Sequence, residues 1–212
     1  MQSSSVRPEE IALFDDLAAR WWDPAGPMRP LHMMNPPRAA WVLERVARHF
    51  PGPVRILDVG CGAGLLSESL ARAGHEVLGL DAGAEVIAAA QAHAAGQGLT
   101  LSYRNATAEA LLAEGQKFPV ITALEVIEHV AEPEAFVATL AALLEPGGLL
   151  FISTMNRGKK SFLVAKLGAE YLLRLLPVGT HNWSQFITPV ELGAPESGTA
   201  GGCAATTTSC GW

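Results

Sequence analysis

The hydrophobic residues in the N-terminal part of the chain recur at helical spacing. In the segment 8–22 they are Ile11, Phe14, Leu17, Ala18 and Trp21. Because this spacing places them on one face of a helix, we predict a helix over residues 8–22. A Pro-rich connection is expected from Asp23 to Pro37, followed by a second helix from Arg38 to Phe50.

After residue 54, short apolar runs alternate with segments rich in Ala and Leu. The apolar runs predict strands at Arg55–Val59, Glu76–Leu80, Leu99–Arg104, Val120–Ala123 and Leu149–Thr154. The segments between them predict helices over 65–73, 84–95, 107–113 and 133–144. Strands that alternate with helices in this way form a parallel sheet covered on both faces. The predicted fold class is therefore α/β, with a doubly wound, mostly parallel sheet.

Two segments of different character follow the predicted sheet. Over 161–176 the apolar residues keep helical spacing at Val164, Leu167, Tyr171, Leu172, Leu175 and Leu176. Polar residues line the opposite side, so this helix suits two roles equally. It can cover the sheet or a substrate pocket, or it can lie in a membrane interface. The tail 193–212 has no periodicity and almost no large apolar residue, which predicts neither a packed strand nor a helix.

The composition narrows the class of protein. The 212 residues are 49% hydrophobic and 17% charged, which is typical of a globular domain. A formal net charge of -6 argues against a nucleic-acid partner. The three cysteines, Cys61, Cys203 and Cys210, have no metal-ligand spacing and form no even disulfide set, which indicates a reducing compartment. We expect a cytoplasmic protein, attached at most to the inner face of the cytoplasmic membrane.

The stretch ILDVGCGAG, residues 56–64, carries the first candidate chemistry. It runs from a predicted strand into glycines at Gly60, Gly62 and Gly64. Such a loop allows a ligand close to the backbone, beside the N-terminus of the next helix. Asp81 ends the second strand, at a spacing that suits hydrogen bonds from ribose hydroxyls. Leu65 replaces the third Gly or Ala of a dinucleotide fingerprint, which favours a ligand with a ribose and an amino-acid tail. The alternative is a glycine turn that only reverses the chain.

These residues resemble a known family. ILDVGCGAG, the acid in GLDAG and the turn EPGG before LLFIST are similar to the class I S-adenosylmethionine-dependent methyltransferases. The resemblance implies a Rossmann-like sheet that ends in an antiparallel hairpin. It also implies that the glycines admit the methionine part of S-adenosylmethionine.

Longer segments resemble the ubiquinone-biosynthesis O-methyltransferases. They are ARWWDPAGPMRPLHMMNPPRAAWV, ALEVIEHV, STMNRGKKSFLVAKLGAEYLLRLLPVGTH and QFITPVEL, within about Ile11 to Leu192. The resemblance implies methyl transfer from S-adenosylmethionine to a hydroxyl of a polyprenylated phenol or catechol. It implies cofactor contacts from Arg38, Gly60, Asp81 and the backbone at Leu124, and we assign three further residues to the same site: Asp58, Gly62 and Gly64.

The acceptor hydroxyl requires a base or a metal, because a phenol has a pKa near 10 and is a poor nucleophile until it loses its proton. On a helical turn, Glu125, Glu128 and His129 of EVIEH can share one face. The resemblance implies that these three hold a divalent cation, usually Mg²⁺. We assign Glu128 and His129 as catalytic, with His181 as a second candidate base. From the residues alone, a capped, solvated turn and an ordinary loop histidine are the alternatives.

The tail departs from the resembled family, whose chain continues past PVEL with a helix and an aromatic-rich Gly-x-His-Tyr strand. One choice of codons for residues 202–209, read in another register, encodes Leu-Arg-Gly-Tyr-His-Tyr-Glu. We hypothesise a frameshift between Leu192 and Gly201, which loses or alters the C-terminal hairpin. The expected organisation is a methyltransferase domain over 1–192, with a helical cap over 1–54, and an aberrant tail.

Two other functions remain open from the sequence. The first keeps the methyltransferase activity with another small aromatic hydroxyl as substrate. The second is a non-catalytic cofactor-binding subunit of a biosynthetic complex, such as one that makes ubiquinone. Intact Glu125, Glu128 and His129 favour catalysis over a scaffold.

Overall fold

The computed structural model describes residues 8–153 of the chain, with side chains from residue 11 onward. In this range the strands are β1 (Arg55–Val59), β2 (Glu76–Asp81), β3 (Leu101–Asn105), β4 (Phe118–Leu124) and β5 (Leu144–Ser153). They form one sheet in the order β3-β2-β1-β4-β5, and every pairing is parallel. The predicted α/β class and the doubly wound sheet are confirmed.

Within the described residues, two helices precede β1 and four connect the strands. They are α1 (Pro8–Leu17), α2 (Arg29–His49), α3 (Leu65–Arg72), α4 (Ala84–Ala94), α5 (Ala108–Ala113) and α6 (Pro133–Leu143). Short 3₁₀ turns follow α1 at Ala18–Arg20 and β4 at Ile127–His129. The bounds of α3 to α6 closely match the predicted ones, because each helix is bracketed by two strands of clear apolar character.

Alternate residues of the central strand β1 face two hydrophobic cores. Leu57 and Val59 pack with residues of α5 and α6, whereas Ile56 packs with residues of α2 and α3. Successive side chains of a strand point to opposite faces of its sheet. The two cores therefore lie on opposite sides, and helices cover both faces as predicted.

The second helix differs from its prediction. The sequence predicts a connection from Asp23 to Pro37, but α2 already includes most of that segment, with Pro36 and Pro37 inside the helix. Proline lacks the N–H that a helix interior uses, so local reasoning expects a break there. A tertiary contact stabilises the helix instead, since the Asn35 side-chain amide donates a hydrogen bond of 2.9 Å to the carbonyl oxygen of Leu65.

Strand β5 starts earlier than predicted. Leu144 pairs with Phe118 and Leu149 pairs with Val120, so the EPGG residues between them form an irregularity in the strand. Regular pairing resumes at Leu149, where the sequence predicts that the strand begins.

Several predictions lie outside the described residues. They concern the helix over 161–176, His181, the C-terminal hairpin and the tail 193–212. Among residues 8–153, no helix is long and apolar enough to cross a membrane.

Candidate functional site

The glycine loop joins β1 to α3 at the carboxyl edge of the sheet. The backbone N–H groups of Gly60 and Cys61 donate to the carbonyl oxygen of Leu80 at 2.7 and 3.1 Å, which fixes the loop against the end of β2. Gly62 and Gly64 have φ values of 53° and 92°, in the left-handed region that favours glycine. The local turn therefore requires glycine at both positions.

Side chains of the protein itself fill the space beside the loop. A Cβ atom on Gly62 would collide with the indole of Trp21, and one on Gly64 would collide with the hydroxyl of Tyr103. The sequence-based interpretation, in which the missing side chains admit a ligand, is therefore incomplete. The missing side chains make room for the protein's own residues, Trp21 and Tyr103.

Asp81 links the end of β2 to the loop. Its Oδ2 accepts a hydrogen bond from the N–H of Gly62 at 2.9 Å, and its Oδ1 accepts one from the N–H of Gly83 at 2.9 Å. Burial raises the pKa of this carboxyl group above its usual value, against the effect of these backbone donors. Each carboxylate oxygen can accept more than one hydrogen bond, so Asp81 can also receive ligand hydroxyls.

The end of β3 lies directly beside Asp81. The side-chain amide of Asn105 donates to the carbonyl oxygen of Asp81 at 3.1 Å, and the N–H of Ala106 donates to the same oxygen at 3.0 Å. These two contacts fix the backbone of Asp81 from the side of β3.

Asp58 lies beneath the loop and does not face outward. It is only 2% exposed, and its two oxygens accept hydrogen bonds from Ser67 Oγ at 2.6 Å and Thr122 Oγ1 at 2.7 Å. Burial raises its pKa to about 6, more than these two hydroxyls lower it. A direct contact with cofactor, as predicted for Asp58, does not fit this burial. The carboxyl group instead ties β1 to α3 and β4.

Sequence reasoning missed the two hydroxyl partners of Asp58. Thr122 pairs in register with Asp58 across β4 and β1, and Asp58 pairs with Gly79 of β2, which pairs with Tyr103 of β3. These residues form one row across four strands. The available signal is Thr122 itself, a polar residue in a strand whose neighbouring residues are all apolar.

Arg38 and Glu125 form an ion pair at the carboxyl end of β4. Arg38 Nη2 lies 3.0 Å from Glu125 Oε1, and the two side chains are 25% and 22% exposed. Ser153 Oγ, at the end of β5, donates to the same Oε1 at 2.7 Å. Glu125 has a φ of 59°, the only positive φ of a non-glycine residue in the range 8–153.

Comparison with known proteins identifies the family. A family described as "Methyltransferase domain" matches residues 31–194. "Ubiquinone biosynthesis O-methyltransferase" of Cereibacter sphaeroides is 50% identical over 199 residues, which cover 90% of this chain and 81% of the relative. The protein of the same name from Parvibaculum lavamentivorans is 51% identical over 198 residues, covering 89% of this chain and 78% of the relative. The chain belongs to the ubiquinone biosynthesis O-methyltransferases.

Solved structures agree on the fold. The plantazolicin methyltransferase BpumL in complex with SAH has a TM-score of 0.57 at 18% identity, over 87% of this chain and 73% of that one. The magnesium protoporphyrin IX methyltransferase of Synechocystis PCC 6803 with bound SAM has a TM-score of 0.53 at 24% identity, over 68% and 75%. This methyltransferase therefore has the class I fold, and the two solved structures hold S-adenosylmethionine or its product S-adenosylhomocysteine.

The residues at the carboxyl edge fit that cofactor. Ligands of open α/β sheets bind outside the carboxyl ends of the strands, where the strand order reverses, and here that point lies between β1 and β4. The glycine loop follows β1, Asp81 ends β2 and Leu124 ends β4. Arg38 reaches the same edge from α2 through its contact with Glu125. A cation, a carboxylate and backbone groups suit an amino acid joined to a ribose.

The methyltransferase does not assemble the predicted metal site. In residues 8–153, no group of three or more His, Cys, Asp or Glu side chains is placed to hold a metal ion. The prediction assumed that Glu125, Glu128 and His129 share one face of a helical turn. The backbone instead has a left-handed residue at Glu125 and then a 3₁₀ turn, and Glu128 is only 5% exposed. In this arrangement the three residues do not fit a divalent cation.

Proposed function

We propose that this methyltransferase transfers the methyl group of S-adenosylmethionine to a phenolic or catechol hydroxyl of a polyprenylated ubiquinone precursor. The observation that carries the proposal is the placement of Arg38, the glycine loop and Asp81 along one edge of a class I sheet. Relatives that share about half of its residues over most of their length are named "Ubiquinone biosynthesis O-methyltransferase", which supports an O-methylation on the way to ubiquinone.

Each of these groups recognises a different part of the cofactor. The guanidinium of Arg38 binds the carboxylate of the methionine part, because its planar fork matches a carboxylate. The carboxylate of Asp81 accepts hydrogen bonds from the ribose hydroxyls. The backbone of the glycine loop and of Leu124 lies against the rest. Bound S-adenosylmethionine supplies an activated methyl group on a positively charged sulfur.

The protein also has to remove a proton from the acceptor. Of the two predicted catalytic residues in the structure, Glu128 is buried and His129 is partly exposed, with its ring edge-on to Phe14 at a centroid distance of 5.3 Å. His129 is therefore the residue that a substrate can reach. It takes the proton of the hydroxyl as the oxygen attacks the methyl carbon in line with the carbon–sulfur bond that breaks.

A divalent cation could bind at Glu125 only if the contacts of this side chain changed. Glu125 Oε1 contacts both Arg38 and Ser153, so a divalent cation such as Mg²⁺ would have to replace those contacts. Proton transfer to His129 and the attack on the methyl carbon use no cation. His181 remains a second candidate base, outside the described residues.

The substrate and its location complete the proposal. A polyprenyl chain partitions into lipid, so the methyltransferase meets its substrate at the inner face of the cytoplasmic membrane, alone or within a ubiquinone-biosynthesis complex. The amphipathic helix that the sequence predicts over residues 161–176 is the proposed membrane contact, and membrane binding through one such helix is weak and reversible. Sedimentation with anionic vesicles tests this part, and equal sedimentation with and without vesicles contradicts it.

The reaction itself is tested with labelled cofactor. The purified chain is incubated with S-adenosylmethionine carrying a trideuterated methyl group and a short-chain polyprenyl catechol. We expect a labelled methyl ether by mass spectrometry, and none from the same compound with its hydroxyls already methylated. A folded chain that binds S-adenosylhomocysteine but labels no phenol or catechol contradicts the proposed function.

A further inference from the structure

The carboxylate of Glu125 contacts the guanidinium of Arg38, the group that binds the cofactor's carboxylate in the proposed function. Arg38 Nη2 and Glu125 Oε1 are 3.0 Å apart, within the distance of a charge-assisted hydrogen bond. Both side chains are about three-quarters buried, so solvent screens this pair less than an ion pair on the open surface. The guanidinium is therefore already neutralised by a residue of the protein.

Glu125 is held toward Arg38 by its own surroundings. Ser153 Oγ donates to Glu125 Oε1 at 2.7 Å, and the N–H of Glu125 donates to the carbonyl oxygen of Ser153 at 3.0 Å. The backbone of Glu125 adopts a left-handed conformation that is unfavourable for a residue with a side chain. Such conformations persist where the surrounding structure enforces them, and they cluster at ligand sites.

We infer that Glu125 is an internal substitute for the cofactor's carboxylate, which occupies Arg38 until the cofactor displaces it. The inference rests on the proposed function, in which Arg38 binds the methionine part of S-adenosylmethionine. In the empty protein, Glu125 keeps the partly buried guanidinium paired and oriented. In the complex, two carboxylates would compete for one guanidinium, and their mutual repulsion drives Glu125 away. Glu125 is thus a positioning residue that lowers the affinity for cofactor.

Removal of the charge at Glu125 tests this inference. Glu125→Gln keeps the shape of the side chain and removes its competition for Arg38. In calorimetric titrations of the full chain, we expect the variant to bind S-adenosylhomocysteine about five-fold more tightly than the wild type, as expected for loss of a modest ion pair. Glu145→Gln is the matched control, because Glu145 is exposed at the opposite end of β5. Its affinity should equal that of the wild type.

A second ligand separates competition from general loosening of the site. 5′-Methylthioadenosine keeps the adenosine and the thioether sulfur but has no amino-acid carboxylate. It does not compete with Glu125, so wild type and Glu125→Gln should bind it equally. Tighter binding of both ligands by the variant overturns the inference.

The remaining outcomes are also decisive. Unchanged or weaker affinity for S-adenosylhomocysteine in folded Glu125→Gln overturns the inference. If this variant does not fold, Ser153→Ala replaces it, since loss of the hydroxyl loosens Glu125 and should tighten binding by a smaller factor. Unchanged affinity there overturns the inference. A folded wild-type chain that does not bind S-adenosylhomocysteine contradicts the proposed function itself.

Discussion

Thr122 Oγ1 donates a hydrogen bond of 2.7 Å to Oδ1 of Asp58, in the layer between the sheet and helix α3. Both residues are almost fully buried. With Ser67 on the other oxygen of Asp58, this contact fixes the end of β1 just before the glycine loop. The glycine loop thus rests on a buried polar group, whose charge and hydrogen bonds can be altered separately.

Loss of the Thr122 hydroxyl should destabilise the fold. Thr122→Val keeps the shape of the side chain and leaves the buried carboxyl group of Asp58 without one donor. We expect the free energy of unfolding to fall by about 1–3 kcal/mol, measured by urea denaturation. Thr100→Val is the control, because Thr100 is exposed, and it should change stability by less than about 0.5 kcal/mol. Equal stability of the two variants would show that the buried contact contributes nothing.

The charge of Asp58 should make stability depend on pH. Burial raises the folded-state pKa to about 6, so between about pH 4 and pH 6 the folded state binds more protons than the unfolded state. Stability from this group therefore decreases as pH rises through that window. Asp58→Asn cannot ionise and lacks this term. Between pH 4 and pH 7, we expect the unfolding free energy of the wild type to fall by about 2–3 kcal/mol relative to that of Asp58→Asn. A difference independent of pH would contradict the raised pKa.

A side chain at Gly62 should disturb the loop. Gly62→Ala introduces a Cβ atom that collides with Trp21, at a φ of 53°. We expect a loss of about 1–3 kcal/mol in thermal or urea unfolding. Gly52→Ala is the control, because apart from its chain neighbours no residue lies within 4 Å of the added Cβ and position 52 is exposed. A variant at position 62 as stable as the control would mean that Trp21 does not pack there.

Substitution of His129 should affect turnover far more than binding. His129→Gln removes the proposed base, and we expect kcat to decrease by about 10²–10⁴-fold with the affinity for S-adenosylhomocysteine nearly unchanged. His49→Gln is the control, since His49 is exposed and bonds to the carbonyl oxygen of Gly147, at the other end of β5. Full activity of His129→Gln would leave His181 as the candidate base.

Local sequence patterns are sufficient to predict the parallel sheet and to place the glycine loop and Asp81 at its carboxyl edge. Short apolar runs between helices predict β1 within its observed bounds, and the loop after it lies where parallel topology requires. Asp81 follows from the same argument, because the carboxyl ends of neighbouring parallel strands meet at one edge. Each of these features depends on residues that are close in sequence.

Other features depend on contacts between distant segments. Pro36 predicts a helix break, and the anchoring of Asn35 on the residues of α3 overrides it. The spacing predicts a helical turn at Glu125, but this residue pairs with Arg38 and Ser153 and has a left-handed backbone. Sequence spacing alone reveals neither interaction, so it predicts a metal group on a helical turn that these residues do not form.

The central claim is that Asp81, the glycine loop and Arg38 form the site for S-adenosylmethionine. Calorimetric titration of the chain with S-adenosylhomocysteine, beside Asp81→Asn, tests it most directly. We predict one-to-one binding by the wild type with a dissociation constant on the order of micromolar. The variant should bind about 10–100-fold more weakly, because the ribose hydroxyls lose a charged acceptor. Equal binding by two folded proteins, or none by the folded wild type, would contradict the claim.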